Sequence, residues 1–291
     1  MSQKTTFTSD KETLNGILRQ VESGDVQLPE FQRGWVWDDS HIISILSSIS
    51  MSYPIGAVMM LETGNPDVRF KPRPVEGAFF AANKAPERYI LDGQQRLTSL
   101  FQALMLGKPV VTYDYRGKVI NRWYYIKMND AVNGTNDREE CIIGIQEDKT
   151  IRNFRNEIVH DYSSVEEEFK NDLFPMNQVF NPSPWRREYS KYWNHRDDKG
   201  NLFDKFEEEI IESFKQYLVP VIIILKQTPK DAICQVFEKV NTGGVSLTVF
   251  ELLTATFAVD EFDLREDWKE RKKELVNSEK LGAVANLLKA V

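Results

Sequence analysis

The sequence predicts an α/β (α+β) fold, a small mixed sheet with helices packed on it. Two observations predict it. Apolar runs of strand length occupy 55–61, 89–91 and 219–225. Between and beside them, apolar residues recur at helical spacing over 40–52, 94–106 and 231–240. These strands are expected to share one sheet, with those helices packed against it.

The elements follow in order along the chain. Residues 11–23 read as a short amphipathic helix. The segment 27–37, built around Pro29, reads as extended. Asp38 or Asp39 can cap the helix whose apolar face is Ile42, Ile43, Ile45, Leu46 and Ile49, and Tyr53-Pro54 stops it. Prolines 66, 72, 74 and 86 make 63–87 an irregular insertion. Asp92-Gly93 then turns a strand into the helix that Gly107 closes. Residues 123–128 read as a strand and 130–215 as a helical, loop-rich insertion. After the helix 231–240, Asn241-Thr242-Gly243-Gly244 makes a turn, and Thr248 with Glu251 forms a capping box. The expected organisation is one domain over 1–260 and the start of a helical region over 261–291. The amphipathic pattern of 281–291 has no stop signal, which predicts continuation past Val291.

Composition narrows the function classes. Of the 291 residues 41% are hydrophobic and 28% charged, as in ordinary soluble proteins. No apolar run has the length of a membrane span, and the polar start lacks a signal-peptide core, so a cytoplasmic protein is expected. The 2 cysteines, Cys141 and Cys234, are far apart, and the 3 histidines are scattered. That argues against a disulfide framework and a Cys- or His-based metal site. The net charge of -7 does not attract nucleic acid, so any DNA contact requires a local basic patch or another part of the protein.

Chemistry concentrates in a few polar stretches. Asp92-Gly93-Gln94-Gln95-Arg96 lies at a strand-to-helix turn, where unpaired amides suit an anion, Gly93 permits close approach and Arg96 supplies a planar donor fork. Asp92 can hold a magnesium ion directly or through water. Read alone, the same residues also make an ordinary helix cap with a surface ion pair. Gln32-Arg33, beside Trp35 and Trp37, suits phosphate and base contacts, or an aromatic cluster with Arg33 stacked on an indole. The turn 237–244 can offer amides to a phosphate, or simply end a helix. The glutamate runs 166–168 and 207–209 read as solvated helix faces. There is no GxxxxGK[ST], which excludes an ordinary P-loop.

Taken in order, 28–37 (LPEFQRGWVW), 53–56 (YPIG), 90–98 (ILDGQQRLT) and 237–244 with Leu247 and Glu251 resemble the N-terminal domain of GmrSD-type, modification-dependent restriction endonucleases. The resemblance spans about residues 10–260. It implies a ParB/sulfiredoxin-like core and a domain that binds and hydrolyses a nucleoside triphosphate with magnesium while controlling a nuclease. Carried over residue by residue, it makes Asp92, Gln94, Gln95 and Arg96 the catalytic candidates, with Asp92 on the metal. Gln32, Arg33, Gly93, Thr98, Asn241, Gly243 and Gly244 become the nucleotide-binding candidates. The implied partners are DNA, modified or not, and an HNH-type nuclease domain in cis or in trans, with homo-oligomerisation an open expectation and no membrane. No HNH motif lies in this chain. The competing readings are a sensor of modified DNA that binds without turnover, and an assembly scaffold. Gln32, Arg33, Asp92, Gln94, Gln95, Arg96 and Asn241 are expected to line one concave site.

Overall fold

A computed structural model describes residues 6–240 apart from 67, 69, 82, 83, 135 and 136. The turn 241–244, the capping box and the region beyond it lie outside the described residues.

The central feature is a 6-stranded mixed sheet. It contains β1 (Phe7–Thr13), β2 (Val26–Pro29), β3 (Val58–Glu62), β4 (Pro72–Arg73) and β5 (Arg88–Asp92). A second, antiparallel sheet is built from β6 (Val110–Tyr113), β7 (Val119–Lys127), β8 (Ile142–Gln146) and, further on, β11 (Leu173–Pro175), with the hairpin β9 (Thr150–Arg152) and β10 (Ile158–Asp161) between them. The last described strand, β12 (Leu218–Ile224), returns to the central sheet, whose order is β1-β12-β3-β5-β2-β4. β12 runs parallel to β3 and β5 parallel to β2, and the other pairs are antiparallel. The strands expected at 55–61, 89–91 and 219–225 are therefore neighbours at its centre.

These central strands read as continuous apolar runs because both faces are covered. Along β5, Ile90 joins the main core while Tyr89 and Leu91 join a smaller cluster behind the sheet. In β3, Val58 and Met60 face the main core, and Met59 and Leu61 the other side. Successive side chains point to opposite faces, so an apolar residue is needed at every position. The front face carries α1 (Leu14–Ser23), α2 (Asp39–Ser50) and α3 (Gln94–Met105). The rear cluster is closed by Ile233 and Val236 of α10 (Lys230–Val240).

The helix starts follow local chemistry. Thr13 caps α1 by accepting from the Gly16 amide, and Gly24, with φ 79°, ends it. Asp38 caps α2, accepting from the His41 amide at 3.0 Å, the His41 ring at 2.7 Å and the Ser40 hydroxyl at 2.7 Å. Burial acts to raise the Asp38 pKa, but the His41 and Ser40 donors outweigh it and hold the carboxyl down to about 2 from an ordinary 3.8. A carboxyl with a depressed folded-state pKa adds stability above its unfolded value and loses it as pH falls through the folded one. Asp38→Ala is thus expected to cost about 1 kcal/mol at neutral pH. The gap between variant and parent should close as pH falls from about 4 to about 2, which urea denaturation at a series of pH values measures.

The region 130–215 carries helices, as its composition suggests, but also β8 to β11, which the sequence reading did not anticipate. Those strands are short, β9 and β11 having only 3 residues each and β10 being exposed along its whole length, so they lack a long apolar alternation. Phe174, Trp185, Tyr189, Phe203 and Phe206 from this region belong to the same continuous core as Leu14, Ile42 and Leu100. It packs as part of the molecule, not as an appendage. β1, too, is almost wholly exposed and polar, and it pairs along the β12 edge through its backbone. Among the described residues no helix is long and apolar enough to cross a membrane.

Candidate functional site

The Asp92–Arg96 stretch lies where β5 hands over to α3. Gly93 takes φ 91°, a left-handed conformation that a side chain would strain, and a Cβ there would meet Val58 Cγ2 at 3.0 Å. No side chain caps α3, so the amides of its first turn are left for another partner.

The glutamines after Gly93 join two parts of the sequence. Gln94 Nε2 donates to the Arg33 carbonyl at 2.6 Å. Gln95 uses both ends of its carboxamide: Nε2 donates to the Gly34 carbonyl at 3.2 Å, and Oε1 accepts from the Val36 amide at 2.8 Å. Gln32 completes the seam, its Nε2 donating to the Ile90 and Leu91 carbonyls at 2.7 and 3.1 Å. Its Oε1 is buried with no partner among the described residues. The 32–36 segment therefore runs along the turn, held by amide groups that β5 and α3 provide.

A further clamp closes on this segment from the other side. Arg73 donates to the Gln32 and Arg33 carbonyls at 3.3 and 2.9 Å and pairs with Glu76 at 2.9 Å. Glu76 also accepts from the Trp35 amide at 3.1 Å, while the Trp35 indole donates to Ser99 of α3 at 3.0 Å. Arg73 and Glu76 sit in the irregular insertion, where the sequence reading found only breakers. The short β2–β4 pairing brings them here, and no periodicity announces it. With its backbone fixed on both sides, Arg33 points an exposed guanidinium outward, with no ion pair among the described residues.

Arg96 is the opposite case. Its side chain is 19% exposed and both terminal nitrogens are engaged, Nη1 with the Ile55 carbonyl at 2.8 Å and Nη2 with Asp92 Oδ2 at 3.0 Å. Gly56, at φ 87°, makes room for it, since a Cβ there would stand 2.6 Å from Arg96 Nη1. Tyr217 braces this loop by donating to the Tyr53 carbonyl at 2.6 Å and accepting from the Ile55 amide at 3.2 Å. Asp92 is 42% exposed and has one oxygen left free of Arg96.

The structure thus brings Gln32, Arg33, Asp92, Gly93, Gln94, Gln95 and Arg96 together. Thr98 is fully buried and its Oγ1 has no partner among the described residues, so it stands behind the turn, not on its open side. It lies one helical turn beyond Gln94, on the core-facing side of α3. Asn241, Gly243 and Gly244 lie outside the described residues. Asp92 is the residue of this set that could hold a magnesium ion. Among the described residues no group of three or more His, Cys, Asp or Glu could form a protein cage. Asp92 offers a single carboxylate, and magnesium keeps most of its waters and takes further oxygens from a phosphate chain.

The family model described as GmrSD restriction endonuclease, N-terminal domain, matches residues 14–258. An uncharacterised protein of Methanocaldococcus jannaschii is 26% identical over 274 residues, an alignment that covers 91% of this chain. It covers 44% of that relative, so the chain spans less than half the relative's length.

Proposed function

Because the chain belongs to the family of GmrSD restriction endonuclease N-terminal domains, we propose that it binds and hydrolyses a nucleoside triphosphate and thereby regulates DNA restriction. The observation that carries this reading is the uncapped start of α3, flanked by a fixed Arg96, a half-exposed Asp92 and an outward-pointing Arg33. A helix start without a capping side chain presents amides and a positive dipole end to an anion. Phosphoryl transfer needs positioning and charge neutralisation more than covalent chemistry from the protein.

The residues divide the work. The first-turn amides of α3, with Gly93 giving close approach, bind the phosphate chain. Arg33 closes over it from the clamped segment. Arg96 lies beside Asp92 and offsets charge that builds on the transferred group. Gln95 is consumed in holding the 34–36 backbone, whereas Gln94 Oε1 takes no bond among the described residues and is the atom available to orient a water. Magnesium, when bound at Asp92, would neutralise phosphate charge. The restriction partners, DNA and an HNH-type nuclease domain in cis or in trans, complete the proposed system, with Asn241, Gly243 and Gly244 as further nucleotide contacts.

Separate measurement of binding and turnover tests the assignment. The protein is titrated with each common ribonucleoside triphosphate, with and without magnesium, and phosphate release is followed for parent and Asp92→Ala. Asp92→Ala should leave metal-free binding close to the parent and lower magnesium-dependent release by about 100-fold. Tight binding with no release by the parent would instead support the sensor of modified DNA.

A further inference from the structure

Two exposed hairpins, β6–β7 of the second sheet and the separate two-stranded β9–β10, end in the same turn. In β6–β7 the closing pair is Tyr113 with Val119, and in β9–β10 it is Arg152 with Ile158. The intervening residues are Asp114-Tyr115-Arg116-Gly117-Lys118 and Asn153-Phe154-Arg155-Asn156-Glu157. In each, the first side chain caps the turn. Asp114 Oδ1 accepts from the Arg116 and Lys118 amides at 2.8 and 2.9 Å, and Asn153 Oδ1 from the Arg155 and Glu157 amides at 2.9 and 3.0 Å. The fourth residue is left-handed in both, Gly117 at φ 75° and Asn156 at φ 63°. The backbone closes alike, Gly117 donating to the Asp114 carbonyl and Asn156 to the Asn153 carbonyl, each at 2.9 Å.

What the turns present is also the same. Tyr115 is 82% exposed and Phe154 92% exposed. The Arg116 guanidinium lies 4.9 Å from the Tyr115 ring centre, and Arg155 lies 5.2 Å from that of Phe154. Neither arginine is in an ion pair among the described residues, because the nearby acids are used elsewhere. Asp114 holds its own turn, Asp148 pairs with Arg152 and bonds Thr150, Glu147 takes Asn121, and Glu157 takes Asn153. The base of the second hairpin lies at the end of the sheet that carries the first, where Asn121 of β7 donates to Glu147. Gln146, the last residue of β8, pairs with Arg122 in the first half of β7, and the turn after it leads directly into β9.

A large aromatic ring exposed at a hairpin tip gains little from burial in the fold. An arginine stacked on it, with its guanidinium in no ion pair, can meet an anion lying beside a flat apolar surface. Repeated on two hairpins linked through β8, the pair matches a polymer that alternates phosphates with stackable bases. We propose that the Tyr115–Arg116 and Phe154–Arg155 tips are twin fingers that grip duplex DNA, the guanidiniums on phosphates and the rings wedged against base steps. The choice of DNA as the polymer rests on the restriction reading given above. The site is remote in sequence from the nucleotide turn and does not depend on turnover there. On a chain of net charge -7 it supplies the local cationic contact that DNA binding requires.

Fluorescence anisotropy of the full chain with a short, unmodified, mixed-sequence DNA duplex at low salt tests this. Tyr115→Ser with Phe154→Ser should weaken binding by roughly tenfold or more. Arg116→Ala with Arg155→Ala should weaken it and flatten the salt dependence by roughly one unit of slope per arginine. These side chains are on the outside, so circular dichroism should match the parent. No DNA binding by the parent, or parent-like binding by both double variants, overturns the proposal. So does a preference for RNA of the same sequence. Phosphate release from nucleotide is read separately, so failure of the fingers and failure of the nucleotide reading give different results.

Discussion

Arg96→Ala is expected to lower nucleotide turnover by about 100-fold or more and to weaken nucleotide binding as well. A group that contacts phosphate acts in both ground and transition states, so both quantities should move. The side chain does more than carry charge. One nitrogen holds the Ile55 carbonyl at 2.8 Å and the other holds Asp92 at 3.0 Å, so the planar fork fixes the carboxylate against the 53–56 loop. Arg96→Lys keeps the charge but cannot span both partners, and it should recover binding more than turnover. Gly56→Ala approaches the same defect from outside. A Cβ 2.6 Å from Arg96 Nη1, on a backbone at φ 87°, must push the guanidinium or the loop aside. It should therefore reproduce the loss of turnover with Asp92 and Arg96 both present. Phosphate-release kinetics on the three variants measure this, and parent-like turnover in Arg96→Ala would remove the residue from the mechanism.

The largest effect on stability is expected far from that turn. Glu168 is buried, and its carboxylate accepts from Tyr125 at 2.8 Å, Lys149 at 2.9 Å and the Trp185 indole at 3.4 Å. Burial, and then the Glu168 charge, push the Tyr125 hydroxyl far above the ordinary tyrosine range, so it stays a donor throughout the accessible pH range. Glu168→Ala would leave that hydroxyl, the indole N–H and a partly enclosed ammonium without their acceptor. Removing one member of a satisfied buried cluster costs more than the bonds contribute net, about 3 kcal/mol in this setting. Glu168→Gln preserves shape and one acceptor and should cost clearly less. Urea denaturation followed by tryptophan fluorescence reads both, and equal midpoints for Glu168→Ala and parent would show that the cluster adds nothing.

Glu168 also marks the limit of what the sequence reveals. As one of three successive glutamates it reads as part of a solvated helix face, and its neighbours Glu166 and Glu167 are exposed and half-buried respectively. Only the fold of Tyr125, Lys149 and Trp185 around it makes it a core residue. The central strands are legible because the middle positions of β3, β5 and β12 are covered on both faces and are apolar. The edge strand β1 is held by backbone pairing with β12 and by the Glu12–Arg88 ion pair, and Phe7–Thr13 carries no apolar alternation to read. The same contrast holds in the candidate site. Asp92-Gly93-Gln94-Gln95-Arg96 is compact in sequence and stands out. The Arg73–Glu76 clamp becomes meaningful only when β4 lies beside β2 and delivers both side chains to the Gln32–Trp35 backbone. Local chemistry is visible in a sequence, whereas contacts made across long separations by single side chains are not.

The central claim is that the turn from Asp92 to Arg96 hydrolyses a nucleoside triphosphate. Steady-state phosphate release with magnesium, measured side by side for the parent, Asp92→Ala and Arg96→Ala, tests it most directly. Sustained release by the parent is expected, ceasing on chelation of magnesium and falling by about 100-fold in each variant. Release at the same rate by all three proteins, or none by a parent that binds the nucleotide, would contradict it.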